Sequence, residues 1–170
     1  MKKWDSDSYI LDSTAFYAGF YRSLDFKLYT TTNIMNEVKH ILNLSLTLDL
    51  LISSRGLVVQ DPFKESINKI VNTAHHSGDI KKLSKADISI ISLAYQLNKP
   101  LVSDDYSVQN VAKFLGIKTI SLGNKGIEKL RKWKNYCKTC RKQYTSNVKE
   151  CTICGNQTKR KYITNFPKYG

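Results

Sequence analysis

Two sets of side chains in this 170-residue sequence have types and positions suited to chemistry. The first is acidic: Asp12 after the apolar run "YIL", Glu37 within "NIMNEV", Asp87 within "SKADISII", and Asp104 and Asp105 after "LVS". Glu37 lies three residues after Ile34 and one before Val38. Asp87 lies four and seven residues before Ile91 and Ala94, so both acids fall on the apolar side of a helical pattern. A carboxylate in such a place needs a partner, and no lysine or arginine is conspicuously placed to supply one. A divalent cation would compensate all of these acids together, and oxygen-only ligands favour Mg²⁺ or Mn²⁺. Each acid also has a plainer reading. Asp12 can cap the following helix. Asp87 fits the N3 position of a capping box opened by Ser84, and Asp104 or Asp105 can cap a helix starting near Ser107. Glu37 can reach water at the edge of an interface.

The second set is sulfur. All four cysteines, Cys137, Cys140, Cys151 and Cys154, lie in "CKTCRKQYTSNVKECTIC". Two C-x-x-C pairs separated by ten residues let each pair bite one metal from a tight turn, the spacing of a structural zinc ribbon. Gly155 follows the second pair, where a chain turning back around a metal often needs positive φ. The alternatives are two disulfides, which belong to exported proteins, or a redox pair, which comes singly on a strand–helix unit. A closed four-thiolate site has no open coordination position, so it gives shape rather than catalysis.

Charge divides the chain in the same place. Residues 1–124 hold 14 basic and 12 acidic side chains, a balance of +2; residues 125–170 hold 13 and 2, a balance of +11. Zinc-bound thiolates lower the latter by about two charges. A small module of one sign repels itself unless it binds a polyanion, and nucleic acid is the expected one. Lys138, Arg141, Lys142, Lys159, Arg160 and Lys161 are the expected phosphate contacts; Tyr144, Tyr162 and Phe166 are candidates to stack on unpaired bases. For Tyr144 a place in the ribbon's own small core is an equal alternative. His40, His75 and His76 lack ligand spacing and read as surface or packing residues. The start, "MKKWDSDSYILDS", is broken by acids before any apolar run develops, and no apolar stretch reaches membrane-span length. A soluble, cytoplasmic protein with no membrane partner is expected.

These residues need elements to position them. "YILDS" (9–13), "LVVQD" (57–61), "LVSDD" (101–105) and "IKTISL" (117–122) read as strands. Helical patterns run through "TAFYAGFY", "TTNIMNEVKHIL", "SLTLDLLISSR" up to Gly56, "FKESINKIVNTAHHSGD", Ser84 to Leu97, and "SVQNVAKFLG". Strands alternating with helices predict an α/β fold, a parallel sheet covered on both faces. In such a sheet ligands bind at the C-terminal strand ends, where Asp12, Asp104 and Asp105 fall. "GNKG" (123–126) predicts a flexible break and "IEKLRKWKNY" a helix leading into the ribbon. The expected organisation is an α/β domain over 1–122, a linker and helix over 123–134, and the ribbon with its basic tail over 135–170.

"ILDSTAF", "NEV", "LSKADISIISLAYQL" and "LVSDDYSVQNVAKFLGI", in order and spacing, resemble the motifs of PIN-domain ribonucleases over about residues 8–122. Followed by a basic C-x-x-C…C-x-x-C ribbon, the set is similar to the archaeal Nin-one-binding (NOB) endonucleases, which cut precursor small-subunit ribosomal RNA at its 3′ end. The resemblance implies a sheet order of 3-2-1-4-5. It makes Asp12, Glu37 and Asp87 the first three acids of a Mg²⁺ or Mn²⁺ site. The pattern of a hydroxyl residue, any residue, then the acid selects Asp105 as the fourth, with Asp104 auxiliary. Ser13 matches a position that often carries a metal- or phosphate-contacting hydroxyl, and Asn110 is a further polar candidate, with solvation on the helix surface as its alternative. The implied partners are precursor rRNA and the maturing small subunit, with a ribosome-assembly protein as a further one. Rival readings are a non-catalytic RNA-binding scaffold and a toxin-type PIN ribonuclease.

Overall fold

The computed structural model describes residues 6–22, 26–42, 45–54, 56–123, 126–127, 129–144 and 148–163. Phe166, the side chain of His40 and part of "GNKG" lie outside the described residues.

Strand β1 (Ser8–Leu11) is buried at all four positions, as a central strand covered on both faces must be. It pairs in parallel with β2 (Lys27–Thr30) on one side and β4 (Leu101–Val102) on the other. β3 (Leu57–Val59) and β5 (Thr119–Ile120) complete a parallel sheet of order β3-β2-β1-β4-β5. This is the order the resemblance implied. Register fixes what emerges at the strand ends: Leu11 opposes Val102, so Asp12 and Ser103 leave the sheet side by side.

Helices α1 (Ser13–Tyr17), α2 (Thr32–Leu42), α3 (Ser45–Ser53), α4 (Lys64–Ser77), α5 (Lys85–Leu97) and α6 (Tyr106–Phe114) follow the expected patterns. Helix α1 is shorter than its pattern: Gly19, at φ 76°, separates it from a 3₁₀ turn at Phe20–Arg22. The core gathers Tyr9, Leu11, Phe16, Ile34, Ile70 and Ile91, all buried, between sheet and helices. β2 was not among the strands expected from the residues.

Among the described residues of "IEKLRKWKNY" the expected helix is not formed. Residues Lys132–Cys137 are instead strand β6, the centre of an antiparallel ribbon of order β7-β6-β8, with β7 at Gln143–Tyr144 and β8 at Thr158–Ile163. Six consecutive pairs, from Lys132↔Ile163 to Cys137↔Thr158, hold β6 to β8. Cross-strand pairing with β8 has overridden the helix expected there.

Candidate active site

Asp12, Asp87 and Asp105 are each held at the start of a helix by capping hydrogen bonds. Asp12 is the N-cap of α1 and 1% exposed. Its Oδ1 accepts from the Ser13 N–H at 2.7 Å; its Oδ2 accepts from Ser103 Oγ at 2.6 Å and Thr14 Oγ1 at 3.2 Å. Burial is the main cause that pushes its carboxyl up to about 6. The hydrogen bond from Ser103 opposes this, as do those from Ser13 and Thr14, and the charge of Asp87 reinforces it.

Asp87 is half-buried and makes the expected capping box: Ser84 N–H donates to Asp87 Oδ2 at 2.7 Å, and Asp87 N–H donates to Ser84 Oγ at 3.1 Å. Capping does not remove it from the acidic edge. Burial raises its carboxyl pKa, Ser84 lowers it, and the charge of Asp105 raises it. Glu37 is exposed rather than turned into the core, because its position borders the buried stripe of Ile34 and Val38 without joining it. Its carboxyl pKa too is raised, first by partial desolvation and then by Asp87. Asp87 is thus the electrostatic neighbour of Asp12, Glu37 and Asp105. The helices carrying Glu37 and Asp87 are joined at their base by Thr31 Oγ1 and Ser89 Oγ, 2.8 Å apart and buried.

The adjacent acids Asp104 and Asp105 have different tasks. Asp105 caps α6, its Oδ1 accepting from the N–H groups of Ser107 at 2.6 Å and Val108 at 3.0 Å. The Asp104 carboxylate turns towards the chain leaving β5, accepting from Ser121 Oγ and from the N–H groups of Leu122 at 2.9 Å and Gly123 at 3.0 Å.

Ser103, which sequence reasoning used only as a pattern element, bridges the two strand ends. Its Oγ donates to Asp12 and accepts from the Asp105 N–H at 3.1 Å. Tyr17 was missed altogether. It is 45% exposed, and partial burial together with the charges of Glu37 and Asp12 raises its pKa. No sequence signal distinguished it from a core aromatic. Asn110 belongs neither to this edge nor to a solvated face. It is buried under the ribbon, donating to Asp79 Oδ2 at 2.6 Å and to the Arg131 carbonyl at 2.8 Å.

Among the described residues no salt bridge involves Asp12, Glu37, Asp87 or Asp105, and buried polar atoms are satisfied by hydroxyl and amide donors. Acid without basic counter-charge suits a hard cation held by carboxylate oxygens and water. The carboxylates are not drawn into a tight cluster. The four thiols are the one group of potential ligands among the described residues whose atoms all lie within 4.8 Å of one another.

That thiol group fits a tetrahedral ion. Cys137 and Cys154 sulfurs are 3.4 Å apart, those of Cys140 and Cys151 3.3 Å, and none is in a disulfide. Tetrahedral Zn–S bonds place sulfurs about 3.8 Å apart. The two C-x-x-C turns are alike: the Cys137 N–H donates to the Lys142 carbonyl and the Cys151 N–H to the Asn156 carbonyl. The residue after each pair is left-handed, Arg141 at φ 60° and Gly155 at φ 68°. Tyr144 lies in this small core, its hydroxyl donating to Cys151 Sγ at 3.0 Å and accepting from the Thr152 N–H at 2.9 Å. Tyr162 packs edge-on against Trp133, and Arg160 lies over the Trp133 ring at 4.2 Å. Lys138, Arg141, Lys142, Lys159 and Lys161 are exposed.

The family described as the PIN domain of ribonuclease matches residues 9–97. Endoribonuclease Nob1 of Pyrococcus abyssi is 38% identical over 152 residues, covering 88% of this chain and 91% of that protein. Ribonuclease VapC1 of Thermoplasma acidophilum is 32% identical, covering 91% of this chain and 78% of its own length. Endoribonuclease Nob1 of Methanothermobacter thermautotrophicus is 32% identical, covering 92% and 94%. The match to residues 9–97 begins at β1 and ends at the last residue of α5, so it takes in Asp12, Glu37 and Asp87 together with the elements that carry them. The chain belongs to the PIN-domain family of ribonucleases.

Proposed function

We propose that this endoribonuclease hydrolyses single-stranded RNA at the edge formed by Asp12, Glu37, Asp87 and Asp105, and that its substrate is the 3′ end of precursor small-subunit rRNA. One observation carries the choice of site. Ser103 ties Asp12 to Asp105 across two strand ends, while the charge of Asp87 acts on Asp12 and Glu37. Acids from four elements share one neighbourhood with no salt bridge to a basic side chain among the described residues. These carboxylates would hold Mg²⁺ or Mn²⁺, which when bound supplies an activated water and neutralises phosphate charge. Ser103, Ser13 and Thr14 hold the Asp12 carboxylate in one orientation. Asp104, auxiliary to the four, would latch the chain beyond β5 through the N–H groups of Leu122 and Gly123. The thiols would hold Zn²⁺, which shapes the ribbon, and the exposed lysines of the ribbon would hold RNA phosphates.

The rRNA reading rests on similarity to proteins named endoribonuclease Nob1 over most of both chains. It implies work in the cytoplasm on the maturing small subunit; among the described residues no helix is long and apolar enough to cross a membrane. Similarity to ribonuclease VapC1 supports a second reading, a toxin-type nuclease. The deciding experiment offers the purified chain and Mn²⁺ a precursor rRNA 3′ fragment, with messenger and transfer RNA as competitors. A single cut in the precursor, lost in Asp12→Asn, is expected. Preferential cleavage of the competitors would favour the toxin reading, and equal cleavage by the variant would remove Asp12 from the site.

A further inference from the structure

Resting on that reading, we propose that the ribbon is docked in a fixed pose on the α/β domain and acts as a ruler: Gly78, Asp79, Gln109 and Asn110 determine which phosphodiester of a bound RNA reaches the acids. The sequence suggests a flexible connection. Among the described residues of that connection, Leu122, Gly123, Ile127 and Arg131 are each hydrogen-bonded to the α/β domain. Asp104 accepts from the N–H groups of Leu122 and Gly123. Buried Gln109 accepts from the Ile127 N–H at 2.8 Å, and Lys113 Nζ donates to the Ile127 carbonyl at 2.8 Å. Asn110 clamps Arg131 from both sides, accepting from its N–H at 2.9 Å and donating to its carbonyl at 2.8 Å.

The ribbon itself then meets the end of α4. Gly78, at φ 79°, closes that helix, and a Cβ there would stand 2.7 Å from the Trp133 carbonyl oxygen. The close approach of Trp133 therefore requires glycine. Asp79 is 1% exposed, a buried carboxylate that the proposed cleavage does not use. It accepts from Ser77 Oγ at 2.9 Å and Asn110 Nδ2 at 2.6 Å; Arg160, from β8, reaches its Oδ1 at 3.4 Å and also donates to the Gly78 carbonyl. Arg160 is stacked on Trp133 at the same time. Its guanidinium is thus engaged in the dock. A buried acid paired across the two parts of the chain fixes an interface more narrowly than apolar contact does, because a shifted pose takes away its cationic partner, Arg160.

The same residues connect to the acids. Gln109 Nε2 donates to the Ser103 carbonyl at 2.7 Å, and Ser103 Oγ donates to Asp12. Gln109 and Asn110 stand on α6, the helix capped by Asp105. One helix therefore carries an acid at its start and the ribbon's clamp in its second turn. RNA held by the ribbon's lysines is presented to the acids at one offset.

The test uses the full chain and two variants, Asn110→Ala and Gly78→Ala, which loosen the dock from different sides and touch neither the acids nor the exposed lysines. Backbone ¹⁵N relaxation reads the pose without RNA. The unaltered chain is expected to tumble with one correlation time and the variants with separate times for the two parts, zinc content remaining one per chain. The second readout maps cleavage of an end-labelled RNA hairpin with a long single-stranded 3′ tail, in Mn²⁺. The unaltered chain should cut at one position relative to the hairpin, and the variants at several, with total cleavage reduced by no more than a few-fold. Separate correlation times in the unaltered chain would overturn the ruler even if that chain cuts. The same holds for an unchanged cut position in variants whose two parts tumble separately. Failure of the unaltered chain to cut any RNA, with one correlation time, would instead overturn the nuclease reading on which the ruler rests.

Discussion

Asp12 carries an unfavourable charge in an enclosed position, and that has a measurable sign. Its folded pKa of about 6 exceeds the ordinary 3.8, so its contribution favours folding below pH 4 and is lost as pH rises through 6. The difference corresponds to about 3 kcal/mol above pH 7, an upper bound for a single group. Without added Mg²⁺ or Mn²⁺, Asp12→Asn should therefore melt higher than the unaltered chain at pH 7.5, and the gap should close by pH 4. Added Mn²⁺ should raise the melting temperature of the unaltered chain alone. A variant that melts lower at every pH would show that the hydrogen bonds from Ser13, Thr14 and Ser103 outweigh the charge. At this scale the sequence was only partly legible. Asp12, Glu37 and Asp87 could be singled out because acids on apolar runs are rare. Asp104 and Asp105 were separated only by the resemblance, which selected Asp105; composition and spacing left them alike, because their roles depend on which backbone amides each one meets after β5 and at the start of α6.

The helices were legible because their apolar periodicity is long enough to be distinctive, and their ends carry caps such as Ser84 and Gly78. The strands were harder. "KLYT" offers only four residues of alternation, and β2 is defined by its neighbours β1 and β3. The helical reading of β6 failed because Lys132–Cys137 has no strand signature of its own and depends on pairing with β8, which the two cysteine turns bring back. It follows that β6 and β8 should depend on the metal. Cys137→Ser should release it and unfold the ribbon, since structural zinc supplies about 10–16 kcal/mol of apparent folding free energy. Elemental analysis and loss of the ribbon's amide dispersion check this. Tyr144→Phe is a milder probe. It removes the phenol donor to Cys151 while leaving the ring, and should speed zinc loss to a chelator several-fold without unfolding the ribbon at rest. An unchanged release rate would mean that the hydroxyl serves only Thr152.

Across the whole molecule, charge and chemistry are divided: a balance of +2 over residues 1–124 against +11 over residues 125–170. The sequence showed the division but not the docking, because Asp79, Asn110 and Gly78 meet their partners only after two separately encoded units fold together. Docking makes the two parts interdependent. A chain ending at Gly123 would leave Gln109, Asn110 and Asp79 without ribbon partners, so it should melt lower than the full chain. RNA affinity is therefore better tested in the full chain. Replacing Lys138, Lys142, Lys159 and Lys161 by glutamine removes exposed charges that take no part in the dock. Binding of single-stranded RNA should then lose ~0.7 in log–log salt slope for each phosphate contact removed. The Mn²⁺ dependence of cleavage should stay as it was, because none of the four lies among the acids. Arg160→Ala should behave differently. It should leave the salt slope nearly unchanged while separating the tumbling of the two parts, since its guanidinium is held by Gly78, Asp79 and Trp133. Equal salt slopes for the lysine variant and the unaltered chain would mean that the ribbon's basic face does not touch RNA phosphates. That face would then be free to meet an acidic protein of the maturing ribosomal subunit.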